Sequence, residues 1–326
     1  MSAASRTAYD KTADYKTMAT RRLLQAAGRR LRLRGARSGG SGRAASDDAR
    51  IVERATRGQV EMRQFGIESL GGAGMHAPHV AIFGAGFVGV NTALALLQRN
   101  IASRVTLTDV DKEKCLGEVL DLEDAGTPGS ILCASPWEAG QADVIVITAG
   151  RGQLPGETRL ELINGNAKIM KSIIESMGSD INPEAKIVVV ANPCDPLTYY
   201  ARKLLPDLPE GAIFGSGTVL DTMRLRVELG HRLGVHASDV HVNVLGEHGD
   251  SQFSAYSVGN IGGRPLLEFP GVKAINLEKL EYDVGHKAYE IINRKKYTAY
   301  GVANATATIV RRPVHKSNRG ASRLTG

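Results

Sequence analysis

The chain has 326 residues, of which 42% are hydrophobic and 23% charged, as in a soluble globular protein large enough for two domains. No apolar run approaches the ~18 residues that span a bilayer, which excludes a membrane-spanning protein. The formal net charge is +7, but residues 1–75 hold 15 Lys and Arg against 7 Asp and Glu, so the remaining residues are nearly neutral. The basic charge therefore does not indicate a body that binds nucleic acid.

Residues 1–75 form a basic leader rich in Arg, Ala, Gly and Ser, in which segment 21–34 has the spacing of a basic amphipathic helix. Mitochondrial transit peptides share this character but are poor in acidic residues, and the leader contains four aspartates. A disordered tail and an over-extended start of the reading frame are the alternatives. We expect a disordered leader and a cytoplasmic protein, with mitochondrial targeting left open.

The three cysteines, Cys115, Cys133 and Cys194, are odd in number and have no CxxC spacing. This argues against a disulfide framework or a zinc site and favours a reducing compartment. We expect no metal site.

A dinucleotide fingerprint follows the leader. The apolar run His79–Phe83 predicts a buried parallel strand, and a helical pattern covers Val90–Gln98. Between them, Gly84 allows a tight turn, Gly86 lets a pyrophosphate approach the backbone, and Gly89 lets helix and strand pack closely. Strand, glycine turn and helix together predict a site for a dinucleotide.

A second predicted strand, Arg104–Thr108, ends at Asp109, twenty residues after Gly89. An acid at this spacing accepts hydrogen bonds from the adenosine ribose and repels the 2′-phosphate of NADP. The sequence therefore predicts NAD as the cofactor.

Strands and helices continue to alternate. Further strands are predicted at Asp143–Gly150 and Ile187–Ala191, and helices at Lys112–Asp124 and Arg159–Met177. This alternation predicts an α/β fold with a doubly wound parallel sheet, the Rossmann arrangement, over residues 76–215. Ligands should bind beyond the carboxyl ends of the strands.

A histidine between two glycines follows a strand-like run, Val240–Leu245. His248 lies in the segment Gly246–Asp250, where the glycines let a ligand approach the imidazole. A histidine in a loop is more often structural than catalytic, so this segment alone decides nothing.

Four motifs occur in a fixed order: Thr148–Leu160, Ala191–Asp195, Gly215–Arg224 and Gly246–Asp250. With the glycine fingerprint, they make the chain resemble the L-lactate/malate dehydrogenase family over about His79–Val310, and within it the L-lactate dehydrogenases.

The resemblance implies a role for each polar residue of these motifs. His248 matches the proton donor to the ketone oxygen of a 2-oxo acid, and Asp221 matches the acid that orients it. Arg224 matches the fork that grips the substrate carboxylate. Arg159 and Asn192 match donors to the developing oxyanion.

The resemblance also assigns the remaining contacts. Gln153 and Thr298 match residues of the substrate pocket. Cofactor contacts fall on Gly84, Gly86, Phe87, Val88, Gly89, Asp109, Thr148, Ala149, Gly150, Asn192 and Ser216. Structural alternatives remain open: Arg159 as an ordinary first-turn residue, Asp221 in a surface ion pair with Arg224 or Arg226, and Asn192 as a turn former.

The residue at position 153, a glutamine, indicates which substrate the chain uses. Malate-using members have an arginine there that pairs with a second carboxylate, which neutral Gln153 cannot do, so the resemblance favours pyruvate and lactate. Arg151 could replace that arginine if the loop shifts. Lys296 stands where the family usually has glycine, and Tyr297 where many lactate dehydrogenases have a small residue. Dehydrogenases of branched 2-hydroxy acids or of malate therefore remain alternatives.

The resemblance predicts an α+β substrate domain over residues 216–326, and by comparison with the family we expect this domain to be incomplete at its C-terminal end. Residues 311–326 show no apolar periodicity and are expected to be disordered. Apolar faces within residues 240–262 should then be partly exposed. We expect an active homo-oligomer, a dimer or tetramer, whose partner is a small 2-oxo or 2-hydroxy acid substrate. A relative that binds NAD but is inactive is a further alternative, because the substrate domain is expected to be incomplete.

Overall fold

The computed structural model describes residues 78–152 and 157–317. The leader, Gln153 and residues 318–326 lie outside the described residues, as do the predictions made for them.

A parallel sheet of six strands forms the first part of the described chain. Its strand order is β3-β2-β1-β4-β5-β6, and every neighbouring pair is parallel. The strands are β1 His79–Phe83, β2 Arg104–Thr108, β3 Ser130–Cys133, β4 Val144–Ile147, β5 Lys186–Val189 and β6 Ile213–Gly215. This order confirms the Rossmann fold, in which ligands bind where the chain reverses direction between β1 and β4.

Helices cover both faces of the sheet because alternate strand residues point to opposite faces. Val80 and Ile82 pack on one face with α1, and Ala81 and Phe83 pack on the other with α4. The helices are α1 Phe87–Gln98, α2 Lys112–Asp124, α3 Pro136–Gly140, α4 Arg159–Met177, α5 Cys194–Leu204, α6 Val219–Leu233, α7 Leu277–Lys295 and α8 Tyr300–Ser317.

A smaller α+β part follows the sheet. Its strands are β7 Val240–His241, β8 Val244–Leu245, β9 Phe253–Ser254, β10 Asn260–Ile261 and β11 Arg264–Pro265. They form one sheet in the order β11-β10-β7 and a hairpin of β8 and β9. Leu225 and Leu229 of α6 and Leu280 and Val284 of α7 pack on them in a separate core.

The start of α4 illustrates how local sequence sets an element that matters for the site. The hydroxyl of Thr158 accepts the Glu161 N–H, and the Glu161 carboxylate accepts the Thr158 N–H. This capping box satisfies two amide groups that no helical carbonyl can reach. It fixes Arg159 as the first residue of the helix, as predicted.

The predicted strand Val240–Leu245 is wrong as a single element. It divides into β7 and β8, which belong to different sheets. Between them the Val242 carbonyl accepts from Arg226 Nε at 3.0 Å, and the Asn243 carbonyl accepts from Ala255 N–H at 2.9 Å. These long-range bonds replace the continuous ladder that the apolar pattern suggested.

The expected disorder from Arg311 onward is wrong for residues 311–317, which continue α8. Ala303, Ala307 and Val310 are buried upstream, so the helical period is set before the polar stretch begins. Extending an existing helix by one residue gains one hydrogen bond for each residue fixed, whereas starting a new helix requires an unfavourable nucleation step. Residues 311–317 can therefore be helical without an apolar period of their own.

The predicted exposure of apolar residues in 240–262 holds for only part of the segment. Leu245, Phe253 and Val258 are exposed, with Val258 at 75% of its full accessibility. By contrast, Val240 and Val244 are buried against α6 and α7.

Candidate active site

The glycine turn between β1 and α1 has the geometry its sequence predicts. Gly84 adopts φ +108°, and a Cβ there would lie 2.8 Å from the backbone nitrogen of Ala149. A Cβ at Gly89 would overlap the Gly84 carbonyl oxygen, whereas none of the described atoms lies within 4 Å of one at Gly86. Close packing therefore requires Gly84 and Gly89, and the space at Gly86 is open to a ligand.

The N-terminus of α1 suits an anion. Gly86 is its N-cap, and no described side chain caps the helix. The first amide groups of a helix have no intrahelical acceptor and carry the positive end of its dipole. Exposed Phe87 and half-buried Val88 lie in this first turn. The turn therefore fits the pyrophosphate of a dinucleotide.

Asp109 follows β2 directly and is held in place by backbone donors. Its Oδ2 accepts the Ala85 N–H at 2.7 Å, and its Oδ1 accepts the Asp111 N–H at 3.0 Å. The first bond joins the carboxylate to the glycine turn. The acid and the turn thus form one cradle, as an adenosine ribose followed by a pyrophosphate requires.

The end of β4 meets the glycine turn on its other side, and the end of β5 lies next to the end of β4. The amide groups of Thr148 and Ala149 both donate to the Phe83 carbonyl, at 2.9 and 2.8 Å. A Cβ at Gly150 would lie 3.2 Å from the Ala191 side chain, directly before Asn192. These residues therefore line the same crevice.

Asn166, which the sequence analysis missed, joins these strand ends. It is 2% exposed, and its Nδ2 donates to the Asn192 carbonyl at 2.6 Å and to the Arg151 carbonyl at 3.1 Å. Its Oδ1 accepts the Arg151 N–H at 3.0 Å. The sequence did contain a signal for this role. Asn166 lies four residues from both Leu162 and Met170, so it shares the buried face of α4 with them.

His248, Asp221 and Arg224 form the charged centre of the second part. The Nδ1 atom of His248 lies 2.7 Å from Asp221 Oδ2, and Arg224 Nη1 donates to Asp221 Oδ1 at 3.2 Å. Asp221 is 1% exposed. The alternative of an Asp221–Arg224 surface pair fails because that pair is buried and shared with the histidine.

The carboxylate decides the charge state of the imidazole. The hydrogen bond to Asp221 raises the pKa of His248 above its usual value, against the opposing effect of burial. Burial lowers the pKa of Arg224, but a guanidinium stays charged in a protein. The arrangement favours a protonated imidazole next to a buried carboxylate.

Three polar residues that the sequence analysis missed position the histidine loop. Thr218 donates to the Val244 carbonyl at 2.7 Å, and Thr222 accepts the Val244 N–H at 2.9 Å. Thr222 follows Asp221 on α6, and Thr218 is the N-cap residue of that helix. The His248 N–H donates to Asp195 Oδ2 at 2.9 Å. Side chains distant in sequence therefore hold the strand that leads into the loop and the backbone of His248 itself.

Ser216 and Thr298 bring two further segments to the site. The Ser216 N–H donates to the Val189 carbonyl at 2.8 Å, at the end of β5. Thr298 is half-buried in the link between α7 and α8. Next to it, Tyr297 stacks on Phe87 with ring centroids 4.0 Å apart. The link between α7 and α8 thus contacts the first turn of α1.

The segment Arg151–Thr158 is described only at its two ends. Arg151 forms an ion pair with Glu157, whose Oε2 accepts from Nη1 at 2.7 Å. A Cβ at Gly165 would lie 2.7 Å from the Arg151 guanidinium, so the side chain rests on α4. Arg159 begins α4, but its side chain lies outside the described residues, as does Gln153.

No group of three or more His, Cys, Asp or Glu side chains is arranged to hold a metal ion in the part of the chain that the structure describes. None of the helices described is long and apolar enough to cross a membrane.

Comparison with known proteins agrees with this geometry. Residues 78–215 match the family model of the lactate/malate dehydrogenase NAD-binding domain, and residues 218–324 match that of its alpha/beta C-terminal domain. The chain is 42% identical to an L-lactate dehydrogenase of Limosilactobacillus reuteri over 73% of this chain and 75% of the relative. It is 46% identical to L-lactate dehydrogenase A of Rhizopus oryzae over 71% and 72%, respectively.

Solved structures are similar in the same way. A lactate dehydrogenase from a Medee basin deep-sea metagenome library aligns with a TM-score of 0.70 and 36% identity, covering 75% of this chain and 80% of that one. The minor L-lactate dehydrogenase of Enterococcus mundtii, in a ligand-bound form, aligns with a TM-score of 0.68 and 38% identity, covering 72% and 77%. The chain belongs to the lactate/malate dehydrogenase family.

Proposed function

We propose that the chain is an NAD-dependent L-lactate dehydrogenase, an oxidoreductase that interconverts pyruvate and (S)-lactate. The observation that carries this proposal is the 2.7 Å bond between His248 Nδ1 and Asp221, with Arg224 on the other carboxylate oxygen. When bound, NADH supplies the hydride. The residues of the chain supply the proton, the grip on the carboxylate and the orientation of the ketone.

His248 acts as the general acid in pyruvate reduction. A carboxylate only accepts hydrogen bonds, so Nδ1 carries a proton towards Asp221 and Nε2 is the atom that gives its proton to the ketone oxygen. The hydrogen bond to Asp221 raises the pKa of His248 and so favours the charged imidazole that gives up the proton. In lactate oxidation the neutral imidazole takes the proton back.

Arg224 binds the substrate carboxylate. Its guanidinium has five N–H groups, and one nitrogen is used by Asp221, which leaves donors for two carboxylate oxygens. Asn192 and Arg159 donate to the ketone oxygen as charge develops on it. Thr298 lines the pocket for the methyl group, beside the Tyr297–Phe87 stack.

The ion pair between Arg151 and Glu157 supports pyruvate over oxaloacetate. A second substrate carboxylate needs a cation, and Gln153 is neutral. Arg151, the nearest replacement, already pairs with Glu157 and rests against α4 at Gly165. Presenting it to the substrate would break this ion pair with Glu157, whose side chain is only 10% exposed.

Asp109 supports NAD over NADP. Its carboxylate is fixed by two backbone amides beside the glycine turn, so it cannot swing away from a 2′-phosphate without losing both bonds. The remaining cofactor contacts are proposed for Thr148, Ala149, Gly150 and Ser216.

Cytoplasmic location and homo-oligomeric assembly, as a dimer or tetramer, complete the proposal. Membership of the family supports both. Exposed apolar residues such as Leu160 on α4 and Tyr289 on α7 support the assembly. Light scattering of the purified chain at several concentrations tests the assembly, and a strictly monomeric protein would contradict it.

A parallel substrate assay tests the function. The full chain is incubated with NADH and with pyruvate, oxaloacetate or a branched 2-oxo acid, and loss of NADH absorbance is followed. We expect turnover with pyruvate well above that with the other two. Faster turnover with the branched acid would instead make the Tyr297 segment the determinant of a larger pocket.

The variant His248→Asn provides the control. We expect NADH to bind with unchanged affinity and turnover to fall by about 100- to 10,000-fold, because only the proton donor is removed. Activity equal to that of the parent chain would refute the role of His248. Binding of NADH without turnover on any of the three acids by the parent chain would show an inactive relative.

A further inference from the structure

Two cysteines that the mechanism does not use lie together beside the adenosine side of the cradle. Cys133 ends β3, and Cys115 lies in the first turns of α2. Their sulfur atoms are 3.1 Å apart, and both cysteines are free thiols. A disulfide bond is about 2.05 Å long, so a shift of about 1 Å would join them.

We propose that Cys115 and Cys133 form a peroxide-sensitive, reversible disulfide that weakens binding of the dinucleotide. The effect on binding rests on the proposed function, whereas formation of the bond does not.

The two sulfur atoms differ in access. Cys133 is exposed, whereas Cys115 is 3% exposed. Burial, together with the neighbouring Cys133 sulfur, raises the pKa of the Cys115 thiol to about 12, so it stays protonated at neutral pH. An oxidant from solution therefore meets Cys133 first, and Cys115 is placed to react with the product.

The chemistry needs a hydroperoxide as the oxidant. The Cys133 thiolate attacks the peroxide, so that an S–O bond forms, the O–O bond breaks and the alcohol or water leaves. The Cys115 sulfur then attacks the sulfenic acid at Cys133. The S–S bond forms, the S–O bond breaks, and the hydroxide leaves as water with the Cys115 proton. Two thiols lose two electrons, and one peroxide gains them.

Hydrogen bonds connect this pair to the ribose-binding acid. The Cys115 N–H donates to the Asp111 carbonyl at 3.0 Å, and the Asp111 N–H donates to Asp109 at 3.0 Å. On the other side, Cys133 lies opposite Leu107, two residues before Asp109. Drawing Cys115 towards β3 moves the turn that holds the carboxylate.

The expected effect follows from the loss of one backbone donor to Asp109. A hydrogen bond of this kind changes an equilibrium by about 3- to 10-fold, so we expect the Kd for NADH to rise by that factor on oxidation. By linkage, bound NADH should disfavour the disulfide by the same factor.

Peptide mapping of the full chain tests the bond. The protein is reduced with dithiothreitol, desalted, treated with hydrogen peroxide, blocked with N-ethylmaleimide and digested without reductant. We expect a cross-linked peptide joining Cys115 and Cys133, loss of two hydrogen masses and reversal by dithiothreitol. Oxygen added to Cys133 without the cross-link, or a cross-link between two chains, would overturn the proposal.

Matched variants separate the roles of the cysteines. Cys194→Ala should form the cross-link as the parent chain does. Cys115→Ser should accumulate oxygen on Cys133, and Cys133→Ser should resist the same peroxide dose. If Cys115 in Cys133→Ser is oxidised as much as Cys133 is in Cys115→Ser, the proposed order of attack is contradicted. Circular dichroism checks that each variant is folded.

Fluorescence titration with NADH tests the consequence. The reduced chain is titrated first, and failure to bind would count against the proposed function and leave the mapping result intact. The oxidised chain should bind about 3- to 10-fold more weakly, and peroxide-treated Cys133→Ser should bind as before treatment. An unchanged Kd in the disulfide form would overturn the coupling to the cofactor.

Discussion

The substitution Asp221→Asn removes the buried charge that links His248 and Arg224 while keeping the shape of the side chain. The 2.7 Å contact with Nδ1 becomes a neutral hydrogen bond, and Arg224 loses its ionic partner at 3.2 Å. Removing one partner of a buried pair costs about 3–5 kcal/mol, and the 10% exposure of Arg224 places the expected loss at about 3 kcal/mol.

The catalytic effect follows from the pKa of His248. The hydrogen bond to Asp221 is the main cause that raises it, and burial is the main cause that lowers it. In the variant, burial prevails and the pKa falls. Because pyruvate reduction needs the charged imidazole, its rate should decline at a lower pH than in the parent chain, and kcat at neutral pH should fall by about 100-fold or more.

The same shift has a stability counterpart with a definite sign. A folded-state pKa above the unfolded value of about 6.5 stabilises the fold fully below that pH, and this part is lost as pH rises through the folded pKa. In the parent chain, the free energy of unfolding should therefore fall as the pH rises through the folded-state pKa of His248. The variant should not show the loss.

Steady-state kinetics over pH, with urea unfolding at each pH, measure both effects. Asp283→Asn is the matched control, because it removes a surface partner of Arg232 at 3.5 Å and should cost under about 1 kcal/mol with kcat unchanged. A parent-like kcat and an unshifted pH profile in Asp221→Asn would refute the assignment of Asp221.

Five further substitutions test the scaffold. Gly89→Ala should abolish NADH binding and lower the urea midpoint, because the new Cβ would overlap the Gly84 carbonyl oxygen. Gly86→Ala should fold normally and only weaken NADH binding. Equal urea midpoints and equal Kd values in the two variants would contradict this reasoning. Lys296→Gly should raise the free energy of unfolding by about 0.5–1 kcal/mol, because residue 296 has φ +72° after α7. Arg294→Gly, inside the helix, should lower it by about 1 kcal/mol, and effects of equal sign would contradict the reasoning. Asn166→Ala should cost about 3 kcal/mol, since it removes three buried hydrogen bonds, and an unchanged midpoint would contradict their importance.

The backbone conformation at Lys296 explains why the family usually has glycine at this position. The lysine is one of the two departures in the segment that precedes Thr298. The position ends α7 in the left-handed region, where a Cβ is unfavourable and glycine is preferred. The departure therefore changes local stability at the end of α7, next to the segment that carries Thr298.

Much of the first part of the fold could be predicted from local signals. The bounds of β1, β2, α2 and α4 agree with the prediction because each has a clear apolar period and an identifiable start. The strand predicted at Asp143–Gly150 is shorter, Val144–Ile147, because Thr148 and Ala149 both turn their amides to the Phe83 carbonyl. That bond is set by a strand more than sixty residues away, and no local pattern contains it.

The sequence by itself determined the family, the glycine cradle with Asp109, and the identity of His248 as a candidate acid, since these depend on residue type and spacing along the chain. Only the tertiary structure decided that Asp221 serves His248 and Arg224 together, that Asn166 and Asp195 support the site, and that Cys115 meets Cys133. Each of these contacts joins positions that the chain separates, and a hydrogen bond or a sulfur contact depends on distances of a few ångströms that spacing along the sequence does not contain.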